Sequence, residues 1–328
     1  GVAPIVALQR VVQLTQEHRG LSAGMLSGNT SLANRIPAKQ AELSSALEAL
    51  QSSLKDSSIS SQTISHINST QQRLNTLFQA VVGSQLKAAE STVQHTHVID
   101  EFLLGSDHIL DDSGLSLDPE VTTYSLIQAT MADAPKLAEN MGQMRAKGTG
   151  YLAQGELSAE GRANLVGMNK RVTEYFRDTT RNLAKATSSD TSMKAALEVK
   201  ASEVKASIDR VLLMTDQSLI NAQTLKLPAN QFFEEYTNTI NGIYAFNTTA
   251  IESLSGMLTK RVSDMQQSLY MMFGLILATV IAAFLLSVVF IRSITVPMRE
   301  AVKIANEVAS GKFKQAIDDK SPNETGLL

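Results

Sequence analysis

The chain has 328 residues, 19% of them charged and 43% hydrophobic, with a formal net charge of -3. That near-neutral balance leaves no basic stripe to track phosphates and excludes nucleic acid as a partner. Cysteine is absent, which excludes disulfides and thiolate chemistry. Aromatic residues make up only 5%, there is no tryptophan, and prolines number 7. This is the composition of helices, at a length that implies two domains or one elongated one.

Residues 1–268 are read as successive helices separated by breakers. In the first helix Ala7, Val11, Leu14, His18, Leu21 and Met25 recur at three and four residues and form one seam. Gly28-Asn29-Thr30 and Asp56-Ser57-Ser58 supply the first stop and start signals. Ser58 to Asp111 holds no proline and only Gly83 and Gly105. Asp111 to Pro119 marks the largest boundary; Gly148, Gly150 and Gly155 mark another, with Ser158 and Glu160-Gly161 restarting the chain. Ser188-Ser189-Asp190 and Leu227-Pro228 complete the set. The last outer helix carries the seam Phe233, Tyr236, Ile240, Ile243, Asn247, Ile251, Leu254 and Leu258.

Met271 to Ile291 is apolar apart from Gly274, Thr279 and Ser287, and no charge occurs between Asp264 and Arg292. A helix needs about 20 apolar residues to cross the hydrocarbon core. Tyr270 stands at one edge, and Arg292, Arg299 and Lys303 follow the other, which orients that side to the cytoplasm. Residues 1–268 are then expected in the periplasm. Gly1 to Leu14 does not resemble a signal peptide, so a first membrane helix is expected to precede Gly1. A chain leaving and re-entering one membrane needs an even number of antiparallel helices. Ser58 to Asp111 taken as one helix gives seven. A turn near Gly83-Ser84 gives eight, and two stacked four-helix modules; alternatively one junction continues without reversing. The final helix is expected to run from about Asn230 through the membrane, a rod of roughly 90 Å at the α-helical rise.

Beyond Arg292, the residues Ile294, Met298, Ala301, Ala305 and Val308 form a coiled-coil seam. With Pro297 at the handover, Ala309-Ser310-Gly311 ending the helix, and Glu324-x-Gly326-x-Leu328 after a connector, this segment resembles a HAMP domain. Asn323 stands where many members carry the first acid of a pair. HAMP domains are parallel four-helix dimers, so the resemblance implies a homodimer. An output module is expected after Leu328.

Gln16-Glu17-His18-Arg19-Gly20-Leu21-Ser22-Ala23-Gly24 resembles the opening motif of the NIT family of nitrate- and nitrite-responsive sensor domains, with His18 inserted between the glutamate and the arginine. Gly114 to Pro119, Tyr124, and Leu137-Ala138-Glu139 to Arg145 are similar to outer domains of chemoreceptors of this broad group. The resemblance implies a small anionic ligand. The residues point the same way. Arg19 lies among Val12, Thr15, Ser22 and Leu26 with no carboxylate three or four residues away, and Arg145 among Met141, Gly142, Gly148 and Thr149. A guanidinium is permanently charged and its planar fork suits nitrate or carboxylate. A bound anion would serve as counterion; the alternative is that these arginines meet acids from other helices or reach water. Arg10, Arg73, Arg162 and Arg210 also lack a local acid. The candidate ligand-binding residues are Arg19, Arg145, His18, Ser22 and Arg210.

His95 and His97 are two apart and face different sides of a helix, a poor metal pair. Gly148-x-Gly150 lacks the preceding strand of a nucleotide loop. No acid forms a constellation with a nucleophile, so no enzyme, cofactor or metal is expected. The chain is therefore read as all-α: a periplasmic helical sensor at 1–268, a transmembrane helix at 269–291 and a truncated HAMP domain at 292–328. It is expected to be an inner-membrane receptor for a small anion such as nitrate or nitrite, a homodimer in contact with lipid. Chemotaxis signalling proteins are the expected cytoplasmic partners. The alternatives are the sensor of a histidine kinase or diguanylate cyclase, and an unliganded partner-binding bundle.

Overall fold

The computed structural model describes residues 1–28, 30–188 and 191–311. All regular structure among them is helical: α1 (Val2–Leu26), short α2 (Thr30–Ala33), α3 (Ile36–Lys55), α4 (Ser61–Val82), α5 (Ala88–Asp112), α6 (Val121–Ile127), α7 (Ala134–Gln154), α8 (Ala159–Thr187), α9 (Thr191–Thr215), α10 (Ala229–Phe290) and α11 (Val296–Ala309). A π-helical segment, Gln128–Asp133, joins α6 to α7 and makes them one long rod. The expected breakers Asn29, Ser189 and Asp190, and the HAMP features Asn323, Glu324, Gly326 and Leu328, lie outside the described residues.

Local chemistry explains the boundaries. Ser60 and Ser158 cap α4 and α8, their hydroxyls accepting from the amides of Thr63 at 3.2 Å and Gly161 at 3.0 Å. Gly155 ends α7 in the left-handed region at φ 71°. The turn expected near Gly83-Ser84 is present, with Ser84 at φ 49°. It separates α4 from α5 and yields eight long antiparallel helical segments, not seven.

The chain divides into two compact units, Gly1–Leu258 and Thr259–Leu328. In the first, α1, α3, α4 and α5 form one up-and-down four-helix module; α6–α7, α8, α9 and the first part of α10 form the other. Cross-helix pairs set the directions. Glu17 meets Lys39 and Arg10 meets Glu42, while His18 meets His95 and Leu8 lies against Gly105, so α3 and α5 run against α1. Gln9 meets Thr130 and Gln16 meets Glu139, so α6–α7 runs with it. Asn247 meets Gln9 and Tyr244 meets Gln16, so α10 runs against it. The modules stack laterally, with α1 between them. That is why α1 buries residues round most of its circumference, from Leu14, His18 and Leu21 on one side, across Leu8 and Val12, to Gln9 and Gln16 on the other. One continuous apolar core links both modules.

In the second unit α10 continues to Phe290, and its apolar side chains there are exposed, Phe284 at 67% and Leu277 at 61%. This helical stretch is long and apolar enough to cross a membrane, with a mean hydropathy of 2.8 in its most apolar window. A π-helical turn, Ile291–Thr295, precedes Pro297 near the start of α11. Proline lacks an amide proton and clashes with the preceding turn, and widening that turn accommodates it. Gly311 follows α11 at φ 82°.

Candidate functional site

Where α1, α7 and α10 meet, polar side chains line an otherwise apolar interface. The Arg19 guanidinium makes a bidentate pair with Glu139: Nη1 donates to Oε1 at 2.7 Å and Nη2 to Oε2 at 3.1 Å. Arg19 Nη1 also donates to Thr96 Oγ1 at 2.8 Å. Gln16 and Gln143 donate to the same carboxylate at 2.9 and 2.8 Å. Tyr244 of α10 donates to Gln16 Oε1 at 2.8 Å. Arg19 and Glu139 are each almost fully buried, and the network satisfies both. Gly142 permits this closeness, since a Cβ there would lie 2.8 Å from Arg19 Nη2.

Arg145, two turns beyond Glu139 on α7, differs. Its side chain is buried at 4% exposure. Nη1 donates to Thr237 Oγ1 at 2.9 Å, Nη2 reaches the Gln16 carbonyl at 3.4 Å, and the guanidinium sits 4.8 Å from the Phe233 ring centre. No carboxylate lies within ion-pair distance of it among the described residues. Burial, and then the positive charge of Arg19, pull its pKa down to about 10. At neutral pH it is therefore a buried cation: Glu17, which pairs with Lys39, and Glu139, which pairs with Arg19, favour its charge from a distance without pairing with it.

Arg145 opens on a cavity of about 860 Å³ between α1, α7 and α10. Small residues leave the space: Gly20, Ala23 and Gly24 on α1, and Gly142, Ala146 and Gly150 on α7. Arg19, Arg35, Phe233, Thr237, the amides of Asn230 and Asn238, and one carboxylate, Glu234, also line it. Such a site can hold an anion against a fixed guanidinium, with aromatic and small apolar walls that strengthen the charge interaction.

The structure distributes the five sequence candidates unevenly. Arg19 and Arg145 come together on the cavity wall. Of the two counterions considered for Arg19, a bound anion or an acid from another helix, the structure supplies the second, Glu139. His18 and Ser22 face the other side of α1. There His18 Nδ1 meets His95 at 2.8 Å and Ser22 at 3.2 Å, and neither residue lines the cavity. Arg210 lies apart: its side chain is 65% exposed, 3.9 Å from Glu235, and does not line the cavity. Sequence reasoning missed the site roles of Glu139, Gln16, Thr237 and Phe233. Glu139 carried a signal, an acid with Leu137, Ala138 and Met141 close by in sequence.

The site is thus a buried guanidinium, without a paired carboxylate among the described residues, at a cavity in an antiparallel helical bundle. The chain belongs to the NIT family, described as nitrate and nitrite sensing, which matches residues 10–255. Among solved structures, that of the NasR transcription antiterminator is similar in fold, with a TM-score of 0.59 and 20% identity over 77% of this chain and 67% of that one. A search of curated proteins gives no match.

Proposed function

We propose that the chain is the sensing and membrane-crossing part of a receptor for a small anion, with nitrate or nitrite as lead. The observation that carries this is Arg145, a buried cation without a carboxylate partner, opening on the α1–α7–α10 cavity. Leaving a charge buried and unpaired is unfavourable, and a planar oxyanion supplies both the charge and the acceptors a guanidinium can use. Membership of a family described as nitrate and nitrite sensing supports the same ligand class. The exposed apolar stretch of α10 supports a membrane span. The proline, π turn and apolar seam of α11 support a HAMP relay and, through it, a homodimer. Chemotaxis is the proposed output. Signalling then requires the ligand to bind two packings of the bundle differently, with α10 the element common to the cavity and the span.

The test is thermal unfolding of the full chain in detergent micelles with added nitrate or nitrite, and with chloride at matched ionic strength. A ligand at about a hundred times its Kd stabilises by about 2.7 kcal/mol. Nitrate or nitrite should raise the Tm well above the chloride control. Equal Tm values in all three salts would refute the proposal.

A further inference from the structure

From Thr259 to Leu269, before the apolar span begins, α10 carries Val262, Met265 and Leu269 at spacings of three and four, and every other residue there is polar or charged. All three side chains are exposed, Met265 at 60%. The same seven-residue repeat carried along the helix falls on Met272, Ile276, Thr279, Ala283, Leu286 and Phe290. Past Phe290 the strict repeat fails, since it would bring Ser293, Pro297, Glu300 and Glu307 onto the seam. The α11 seam of Ile294, Met298, Ala301, Ala305 and Val308 follows that repeat one residue late. The chain thus holds one surplus residue after Phe290, and the π-helical turn Ile291–Thr295 lies at that place. A turn closed by i→i+5 hydrogen bonds holds about one residue more than an α-helical turn. The surplus is taken up within the turn, and α11 keeps the face that α10 set. In an unbroken α-helix one extra residue would rotate α11 by about 100°.

We propose that Val262, Met265 and Leu269 dock onto the same residues of a second copy of this chain, in one parallel coiled coil that runs through the membrane and, past the π turn, into the α11 seam. This rests on α10 crossing the membrane and on α11 joining two copies. Copies of one sequence insert in the same orientation, so a two-fold axis along the membrane normal sets identical residues opposite each other, and a seam on one face complements itself. Between Val262 and Leu269 the positions flanking the seam are Gln266 and Ser268, both uncharged, while Asp264 falls on the outward side. Parallel copies therefore meet no like charges there. Within the span the seam narrows to Thr279 and Ala283, small residues that let two backbones approach in lipid. Two copies wound left-handed hold such a seam together, where a straight helix would drift about 20° per repeat. The phase shared across the π turn favours one partner along the whole length.

The experiment uses the full chain, which has no cysteine of its own, in cell membranes under mild oxidation, with single-cysteine variants followed on non-reducing gels. Met265→Cys and Leu269→Cys sit on the seam, Ser263→Cys and Gln267→Cys sit off it, and Met298→Cys reports the α11 seam. A disulfide needs Cα atoms within about 7 Å of each other, which seam positions of a parallel dimer meet and outward positions do not. Met265→Cys and Leu269→Cys should form the dimer several-fold faster than the two off-seam variants. Inserting two alanines after Ala283 turns the two ends of the seam apart by about 200°. Dimer formation by Met265→Cys or by Met298→Cys should then fall several-fold. A dimer from Met298→Cys, with Met265→Cys and Leu269→Cys no faster than the off-seam pair, overturns this inference alone and leaves the stripe to another segment or partner. Undiminished dimer at both ends after the insertion overturns the continuity of the seam. No dimer from any variant overturns the inference together with the proposed homodimer.

Discussion

Acidification should destabilise the sensory bundle through the buried His18–His95 pair. The hydrogen bonds around it fix both tautomers. His95 Nδ1 donates to the Ser91 carbonyl at 2.7 Å, which leaves His95 Nε2 as an acceptor. His18 Nδ1 donates to that nitrogen at 2.8 Å, and His18 Nε2 then accepts from Gln40 at 3.1 Å. A proton added to either ring sets one N–H against another donor. Burial is the main cause that lowers the pKa of His18 to about 3 and that of His95 to about 4; the partner ring lowers His18 further, and the Arg19 charge lowers His95. An unfolded histidine titrates near about 6.5. Between that value and the folded ones the unfolded chain binds more protons than the native one, so stability falls as the pH falls through the window. At about pH 5 each ring contributes about 2 kcal/mol of lost stability relative to neutral pH, and the pair about 4 kcal/mol. That is a large part of the ordinary stability of a domain, about 5–15 kcal/mol. Asp100 and Asp133, whose pKa values burial raises, act in the opposite sense and offset part of the loss. Urea unfolding of the full chain in micelles, followed by circular dichroism at about pH 7.5 and about pH 5, isolates the pair when wild type is set against the His18→Gln/His95→Gln double variant. The double variant should lose several kcal/mol less than wild type on acidification. An equal loss in both would refute the argument.

Two further outcomes follow from the same contacts. Glu139→Ala leaves the Arg19 guanidinium buried without its carboxylate and should cost about 3–5 kcal/mol in urea unfolding, far more than the cost of an exposed pair such as Lys205–Asp209. Met298→Cys, in a chain without other cysteines, should form an intermolecular disulfide in membranes under mild oxidation if the α11 seam is a dimer interface, and a purely monomeric band on non-reducing gels would count against the homodimer.

Much of the helical framework was legible in periodicity and breakers. Helix parity allowed a turn near Gly83-Ser84 or a junction that runs straight on, and the turn is the one present, with Ser84 at a positive φ. The α10 seam was legible as well, since Tyr236, Ile240, Ile243, Asn247, Ile251 and Leu254 are all buried. The lateral docking of the modules was harder to read. It depends on α1 being buried round most of its circumference, and a helix of that kind shows no single apolar face. The π-helical segments were illegible because they preserve the local residue pattern and change only the hydrogen-bond register. At the site, sequence spacing singled out Arg19 and Arg145 as cations without local acids. It could not say which of them a distant helix would neutralise. Glu139 lies 120 residues from Arg19, and only the packing of α7 against α1 gives Arg19 its counterion and leaves Arg145 without one.

The most direct test of the anion-receptor account is calorimetric titration of nitrate into the full chain in nanodiscs, wild type against Arg145→Gln. Glutamine keeps a polar side chain of moderate length but removes the charge that the cavity holds. The account predicts a saturable isotherm in wild type that the variant loses. No saturable heat in wild type, or an isotherm that survives the loss of Arg145 unchanged, would contradict it.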